Sequence, residues 1–134
     1  LEASGAYLKF VAPQLGRIPT TGDAVEADFS FRTGDSVLFD AIFIPGGRKS
    51  VDALKRQGDD LQAFIRDGWR HCKPLAASGE AAELLAGLPG IKGGKALRSR
   101  HGVVVSADRA SDAMARSFVR AIADGRHWVR ETLV

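Results

Sequence analysis

Two apolar runs in this chain pass directly into glycine: Ala41-Ile42-Phe43-Ile44 into Pro45-Gly46-Gly47, and Pro74-Leu75-Ala76-Ala77 into Ser78-Gly79-Glu80. A short, continuous apolar run that stops at a glycine turn is the pattern of a strand covered on both faces of a parallel sheet. Parallel neighbours need a crossover of a dozen or more residues, usually helical. Residues 48–73 can supply it: Ser50 is placed to cap a helix carrying Val51 and Leu54, and Leu61, Phe64, Ile65, Gly68 and Trp69 follow at helical spacing as core positions. After the second run, residues 80–86 read as a helix with Ala81, Leu84 and Leu85 facing inward. The glycines of residues 87–94 lead to a strand, Val103-Val104-Val105, and to a helix striped with Ala110, Met114, Phe118 and Ile122.

The first third fits the same scheme less directly. Leu1, Glu2 and Ala3 before Ser4-Gly5 read as the last turn of a helix with its terminating glycine. Residues 7–12 read as a strand stopped by Pro13, with Tyr7, Leu8, Phe10 and Val11 as its apolar members. Residues 17–31 alternate around Thr21-Gly22-Asp23, with Val25, Ala27, Phe29 and Phe31 on one face, which predicts a small hairpin outside the main sheet.

The expected fold class is therefore α/β: three layers, doubly wound, with a flavodoxin-like, mostly parallel sheet and a small β-hairpin excursion. Residues 1–134 form one expected domain, N-terminally incomplete, with the first strand and most of the first helix absent from this sequence. In flavodoxin-like order that strand lies between residues 7–12 and 41–44.

Composition bounds the partners. Hydrophobic content of 45% and charged content of 26% are those of a globular domain with one core. The net charge is +3, and the densest basic stretch, Lys92, Lys95, Arg98, Arg100 and His101, has no interleaved aromatic residues, so a solvated loop is expected and no nucleic-acid partner. No apolar run approaches the roughly 20 residues of a membrane span, and no membrane partner is expected. One cysteine, Cys72, excludes an internal disulfide and permits a reducing, cytoplasmic setting.

In such sheets ligands bind outside the carboxyl ends of the strands, which places Gly46, Gly47, Ser78, Gly79 and Glu80 at one expected crevice. Gly46-Gly47 could offer N–H groups to an anion or form only a tight turn. Ser78 lacks the first glycine of a G-x-S-x-G elbow and is read as a turn or helix-capping residue. Glu80 is a first-turn carboxylate, favoured by the positive end of its helix. Cys72 precedes its strand and is read as a structural thiol. His71, His101 and His127 are too dispersed for a metal site.

The order of elements, with Ile44-Pro45-Gly46-Gly47 and Lys73-Pro74-Leu75-Ala76-Ala77-Ser78-Gly79-Glu80, resembles the ThiJ/PfpI group of class I glutamine amidotransferase-like domains. Active members place a cysteine at the elbow, usually followed by histidine; the match puts Gly79 and Glu80 there, and glycine has no side chain to attack anything. More closely, the chain resembles the C-terminal domain of large-subunit haem catalases. That resemblance rests on Phe10-Val11-Ala12-Pro13-Gln14-Leu15-Gly16, Ser36-Val37-Leu38-Phe39-Asp40-Ala41, Ile44-Pro45-Gly46-Gly47 and the ten residues from His71 through Glu80. It implies a non-catalytic structural or stabilising domain, with room for chaperone-like character. The parent chain would be an oxidoreductase that decomposes hydrogen peroxide at haem and assembles as a homotetramer. Haem is expected in the partner core of the same chain and not here, where Tyr7 has no haem-pocket motif around it. Two other readings stay open: a stand-alone ThiJ/PfpI-type hydrolase or small-aldehyde-processing enzyme using Ser78 or Cys72, and a small-ligand or anion-binding module.

Overall fold

A computed structural model describes residues 5–13, 16–18, 25–31, 34–35, 38–85, 102–106 and 112–128. In chain order they form strands β1 (Val11–Ala12), β2 (Gly16–Ile18), β3 (Val25–Ala27), β4 (Phe29–Ser30) and β5 (Ile42–Ile44), then helices α1 (Arg48–Lys55) and α2 (Asp59–Arg70). Strand β6 (Leu75–Ser78), a 3-10 helix (Gly79–Leu85), β7 (Val103–Ser106) and α3 (Asp112–Ala123) follow.

The main sheet is parallel, in the order β5-β6-β7, with Ile42 beside Leu75 and Leu75 beside Val103. Because successive strand side chains point to opposite faces, Leu75, Ala77 and Val103 enter one core and Ala76 and Val104 the other. The first core is closed by Val51 of α1, by Leu61, Phe64, Ile65 and Trp69 of α2, and by Ala81, Leu84 and Leu85 of the 3-10 helix. The second is closed by Met114, Phe118 and Ala121 of α3. Each large apolar side chain hidden this way contributes about 1.5 to 3 kcal/mol. Gly68 lets α2 lie close on the sheet: a Cβ there would sit 2.6 Å from Ile42 Cδ1.

The hairpin is present as β2 and β3, antiparallel, with Ile18 opposite Val25; its turn, Thr21-Gly22-Asp23, lies outside the described residues. The excursion returns through β4, and its aromatic rings dock on α2, with Phe31 edge-on to Phe64 at 5.6 Å and Phe39 at 6.1 Å from the same ring.

Several expectations need correction. The strand over residues 7–12 shrinks to Val11–Ala12, which pairs parallel with β4, while Tyr7 is 97% exposed. The ladder register covers only residues 11 and 12; before them the Phe10 carbonyl accepts the N–H groups of Asp28 and Phe29 at 2.8 and 3.2 Å, and the Phe10 N–H donates to an Asp28 carboxylate oxygen at 2.8 Å. Strand β5 is covered on the face of Ile42 and Ile44, which enter the first core, but Phe43 on the opposite face stays 37% exposed beside Phe118, so the expected burial on both faces is only partial. Ser50 does not cap α1, whose N-cap is Gly47. The expected helix after β6 is wound as a 3-10 helix, with the predicted inward residues Ala81, Leu84 and Leu85 buried. Of the last stripe, Met114 and Phe118 are buried and Ile122 partly so; Ala110, the residues 1–4 and the basic stretch from Lys92 to His101 lie outside the described residues.

Among the described residues no ladder joins β1 to β5. At the amino end of the main sheet the segment after α3 turns back: the His127 N–H donates to the Cys72 carbonyl at 2.7 Å and Arg126 donates to the His71 carbonyl at 2.8 Å. The His127 ring lies so close to Gly102 that a Cβ there would be 2.3 Å from its Cδ2. Lys73, 1% exposed beside this clasp, has its ammonium pushed below the ordinary lysine value, first by burial and then by Arg126, against the opposing pull of Asp40 and Asp35.

Candidate functional site

The expected crevice residues do converge. Strand β5 ends in Pro45-Gly46-Gly47 and its neighbour β6 ends at Ser78, so the two carboxyl ends stand side by side. Gly79 follows with φ +54°, a left-handed conformation that glycine adopts without the penalty of a Cβ, and the chain bends there into the 3-10 helix.

Across this corner the Gly46 N–H donates to Ser78 Oγ at 2.9 Å, and the Gly47 N–H donates to Glu80 Oε2 at 3.0 Å. Ser78 is 2% exposed and ends the strand immediately before the 3-10 helix, with its hydroxyl oxygen facing the Gly46 N–H across the corner. The backbones also touch: a Cβ on Gly46 would lie 2.5 Å from the Ser78 carbonyl oxygen. Both amides that could face an anion thus already face an acceptor from the next loop.

Charge completes the corner. Helix α1 has no side-chain cap of its own and no acid in its first turn, and Glu80 supplies the missing acceptor at its N-cap. The Glu80 carboxyl is held below its ordinary value, first by its own backbone N–H, then by that of Gly47, with Arg48 acting the same way. One turn on, Glu83 receives Arg48 Nη2 at 3.0 Å and Lys55 Nζ at 2.7 Å, which pull it down to about 2. Arg48 also lies 3.7 Å from Asp52. These pairs are exposed and serve geometry more than stability.

Sequence reasoning missed Arg48, Lys55 and Glu83. The signal was available in their spacing, since two cations seven residues apart share a helix face and Glu83 stands three residues after Glu80.

The other candidates are kept apart from the corner. Cys72 is 1% exposed, at the amino end of β6 and thus at the opposite end of that strand from Ser78. His71 and His127 belong to the clasp at that same far end, with His127 Nε2 2.9 Å from the Ala121 carbonyl. Among the described residues no three His, Cys, Asp or Glu side chains group as a metal site, and no helix is long and apolar enough to cross a membrane.

At this corner the chain presents a strand-turn-helix bend with no side chain at its apex and with its two outward amides in use. Comparison with known proteins identifies the company it keeps. Residues 1–132 match the family described as the C-terminal domain found in long catalases. Catalase-2 of Bacillus subtilis is 31% identical over 132 residues, which is 97% of this chain and 18% of that protein. Catalase HPII of Mycobacterium avium is 31% identical over 140 residues, 98% of this chain and 20% of that protein. The chain therefore spans about a fifth of the length of these relatives. Among solved structures, a ThiJ/PfpI domain protein from Brachyspira murdochii superposes with a TM-score of 0.59 at 16% identity, covering 99% of this chain and 84% of that one, a likeness of fold.

Proposed function

This chain belongs to the family of C-terminal domains found in long catalases, and we propose that it serves there as a non-catalytic structural domain that supports the stability and assembly of a longer, peroxide-decomposing chain. The observation that carries this reading is Gly79: the elbow has the left-handed backbone of a nucleophile turn, φ +54°, and no nucleophile on it. Ser78 beside it is buried with its oxygen engaged by Gly46, and Cys72 is a strand length away, which removes the support for a hydrolase or aldehyde-processing reading.

On this proposal haem belongs to the rest of the parent chain. This reading is supported by Tyr7, which stands almost fully in solvent, and by His127, whose ring lies 2.9 Å from the Ala121 carbonyl and packs against Gly102. The partner of this domain is then the haem-binding core of the same polypeptide, in a cytoplasmic homotetramer, with no nucleic acid or membrane involved; chaperone-like character is part of the same proposal.

The test compares the full-length chain with one that ends before this domain. The shortened chain is expected to retain oxygen evolution per haem while losing assembled tetramer and melting at lower temperature. Equal assembly and equal melting in the two chains, or oxygen evolution from peroxide by the haem-free domain, would overturn the proposal.

A further inference from the structure

Two features away from the corner lie side by side. The first is a notch of about 130 Å³ between α2 and the segment after β4, floored by Phe31 and Phe64 and rimmed by the carboxylates of Asp35, Asp60 and Asp67. The second is the strap after α3, which leaves the Trp128 indole 63% exposed two residues beyond Arg126. An indole is usually among the better buried side chains, so one held this far out in solvent is a candidate contact. With Arg126 and Arg70, both exposed, it forms a cationic knob.

Hydrogen bonds tie the two features together. Asp67, on the rim of the notch, accepts the His71 N–H on its carbonyl at 2.9 Å, and the His71 carbonyl accepts Arg126 at 2.8 Å. Buried Lys73 lies within electrostatic reach of Arg126 on one side and of Asp35 on the other. An acidic notch with an aromatic floor, next to a cationic knob with an aromatic tip, matches its own copy under two-fold rotation, in which i meets j and j meets i. We propose that this end of the domain docks on a second copy of the chain, with the Trp128 of each seated in the notch of the other and Arg70 and Arg126 against its carboxylates.

The aromatic floor suits an indole, since rings meet edge-on at centroid separations of about 4.5 to 7 Å, as Phe31 and Phe64 already do at 5.6 Å. Trp and Arg are also the residues that most often carry interface energy. The charges select the partner: a patch of one sign would fit any surface of the other, whereas two adjoining patches of opposite sign repel a uniformly charged surface and complement themselves. This docking rests on the assembly role proposed above and names the contact through which the domain exerts it.

The experiment measures subunit dissociation of the full-length chain by sedimentation over a dilution series. Arg70→Glu and Asp60→Lys each set like charges opposite one another twice per two-fold contact, and each is expected to raise the dissociation constant about tenfold or more. Trp128→Ala is expected to do the same. Coexpressed R70E and D60K chains regain opposite charges at both symmetry-related contacts, and their mixed assembly is expected to dissociate as wild type does. A chain carrying both substitutions has the same expectation and serves if either single variant does not fold. Wild-type dissociation in R70E, D60K or W128A, or no recovery in the mixture, would overturn the docking. So would a lower melting temperature with unchanged dissociation, which would assign the surface to the remainder of its own chain. If the shortened chain loses its tetramer while these variants keep theirs, the assembly role stands and this surface alone fails.

Discussion

Gly46 donates its backbone N–H to the side chain of Ser78, and the same glycine rests against the Ser78 carbonyl so closely that a Cβ would stand 2.5 Å from that oxygen. The obstructing atom is backbone, which moves only if β6 moves. Gly46→Ala is therefore expected to destabilise the domain by about 1 to 3 kcal/mol, as overpacking does elsewhere. A thermal melt unchanged from wild type would show that the two loops are not in contact.

Chemistry at the elbow is the second matter. Replacing Ser78 or Cys72 by Ala is expected to leave any esterase, peptidase or glyoxalase signal at its background level, since Ser78 Oγ is occupied by Gly46 and Cys72 lies at the other end of β6. A tenfold loss in either variant, about 1.4 kcal/mol of transition-state stabilisation, would restore the enzyme reading.

How acid affects the corner follows from Glu80 and Glu83. Both carboxyls are lowered in the folded chain, Glu83 from 4.5 to about 2. A carboxyl with a depressed folded value adds stability that is fully present above its unfolded value and is lost as the pH falls through the folded one. The melting temperature should thus decline between about pH 4.5 and pH 2, and Glu83→Gln should decline less steeply over that window. Raising the salt concentration should shrink the difference, because the Arg48 and Lys55 contacts are exposed. Parallel pH profiles for wild type and E83Q would contradict this account.

What the sequence disclosed followed the strength of each local signal. The stripe Leu61, Phe64, Ile65, Gly68 and Trp69 has helical period and no competing signal, and all five are buried in α2. The glycines marked the ends of β5 and β6, and hence the corner, because glycine has few other reasons to follow an apolar run there. Ser50 misled: serine caps many helices, but here the loop turn puts Gly47 at the cap and the acceptor arrives from Glu80, distant in sequence. Tyr7 and Leu8 misled for a related reason, since β propensity reports a side chain's fitness for a sheet and says nothing of whether a neighbouring strand is in reach. The spacing of Arg48 and Lys55 marked a basic helix face, but its pairing with Glu83, like the return of His127 to Cys72, joins residues far apart in the chain, and no local pattern announces such a partner.

Core energetics can be checked at Trp69, which is 2% exposed between α2 and the sheet. Trp69→Ala is expected to cost about 3 to 5 kcal/mol, enough to consume much of a domain's usual stability of about 5 to 15 kcal/mol. Retention of a cooperative melt within a few degrees of wild type would mean that the face carrying Leu61, Phe64 and Ile65 is not a core.

The pairing of β5 sets a further expectation. Among the described residues Ile42–Ile44 pairs with β6 alone, and flavodoxin-like order places one more parallel strand beside it. A longer chain carrying native upstream sequence is expected to melt several degrees higher than residues 1–134 alone, since roughly 1 kcal/mol shifts a domain of this size by several degrees. Identical melting of the two would refute this strand order.

The return of His127 and Arg126 to the carbonyls of Cys72 and His71 has a mechanical meaning. A pull on the polypeptide beyond residue 128 reaches first these two hydrogen bonds and the imidazole packed on Gly102, at the root of the middle strand. Helix α3 lies off that line of load. Tension from neighbouring parts of a long polypeptide would accordingly be borne by the centre of the sheet, which yields last, and the helix would unwind only after the clasp had given way.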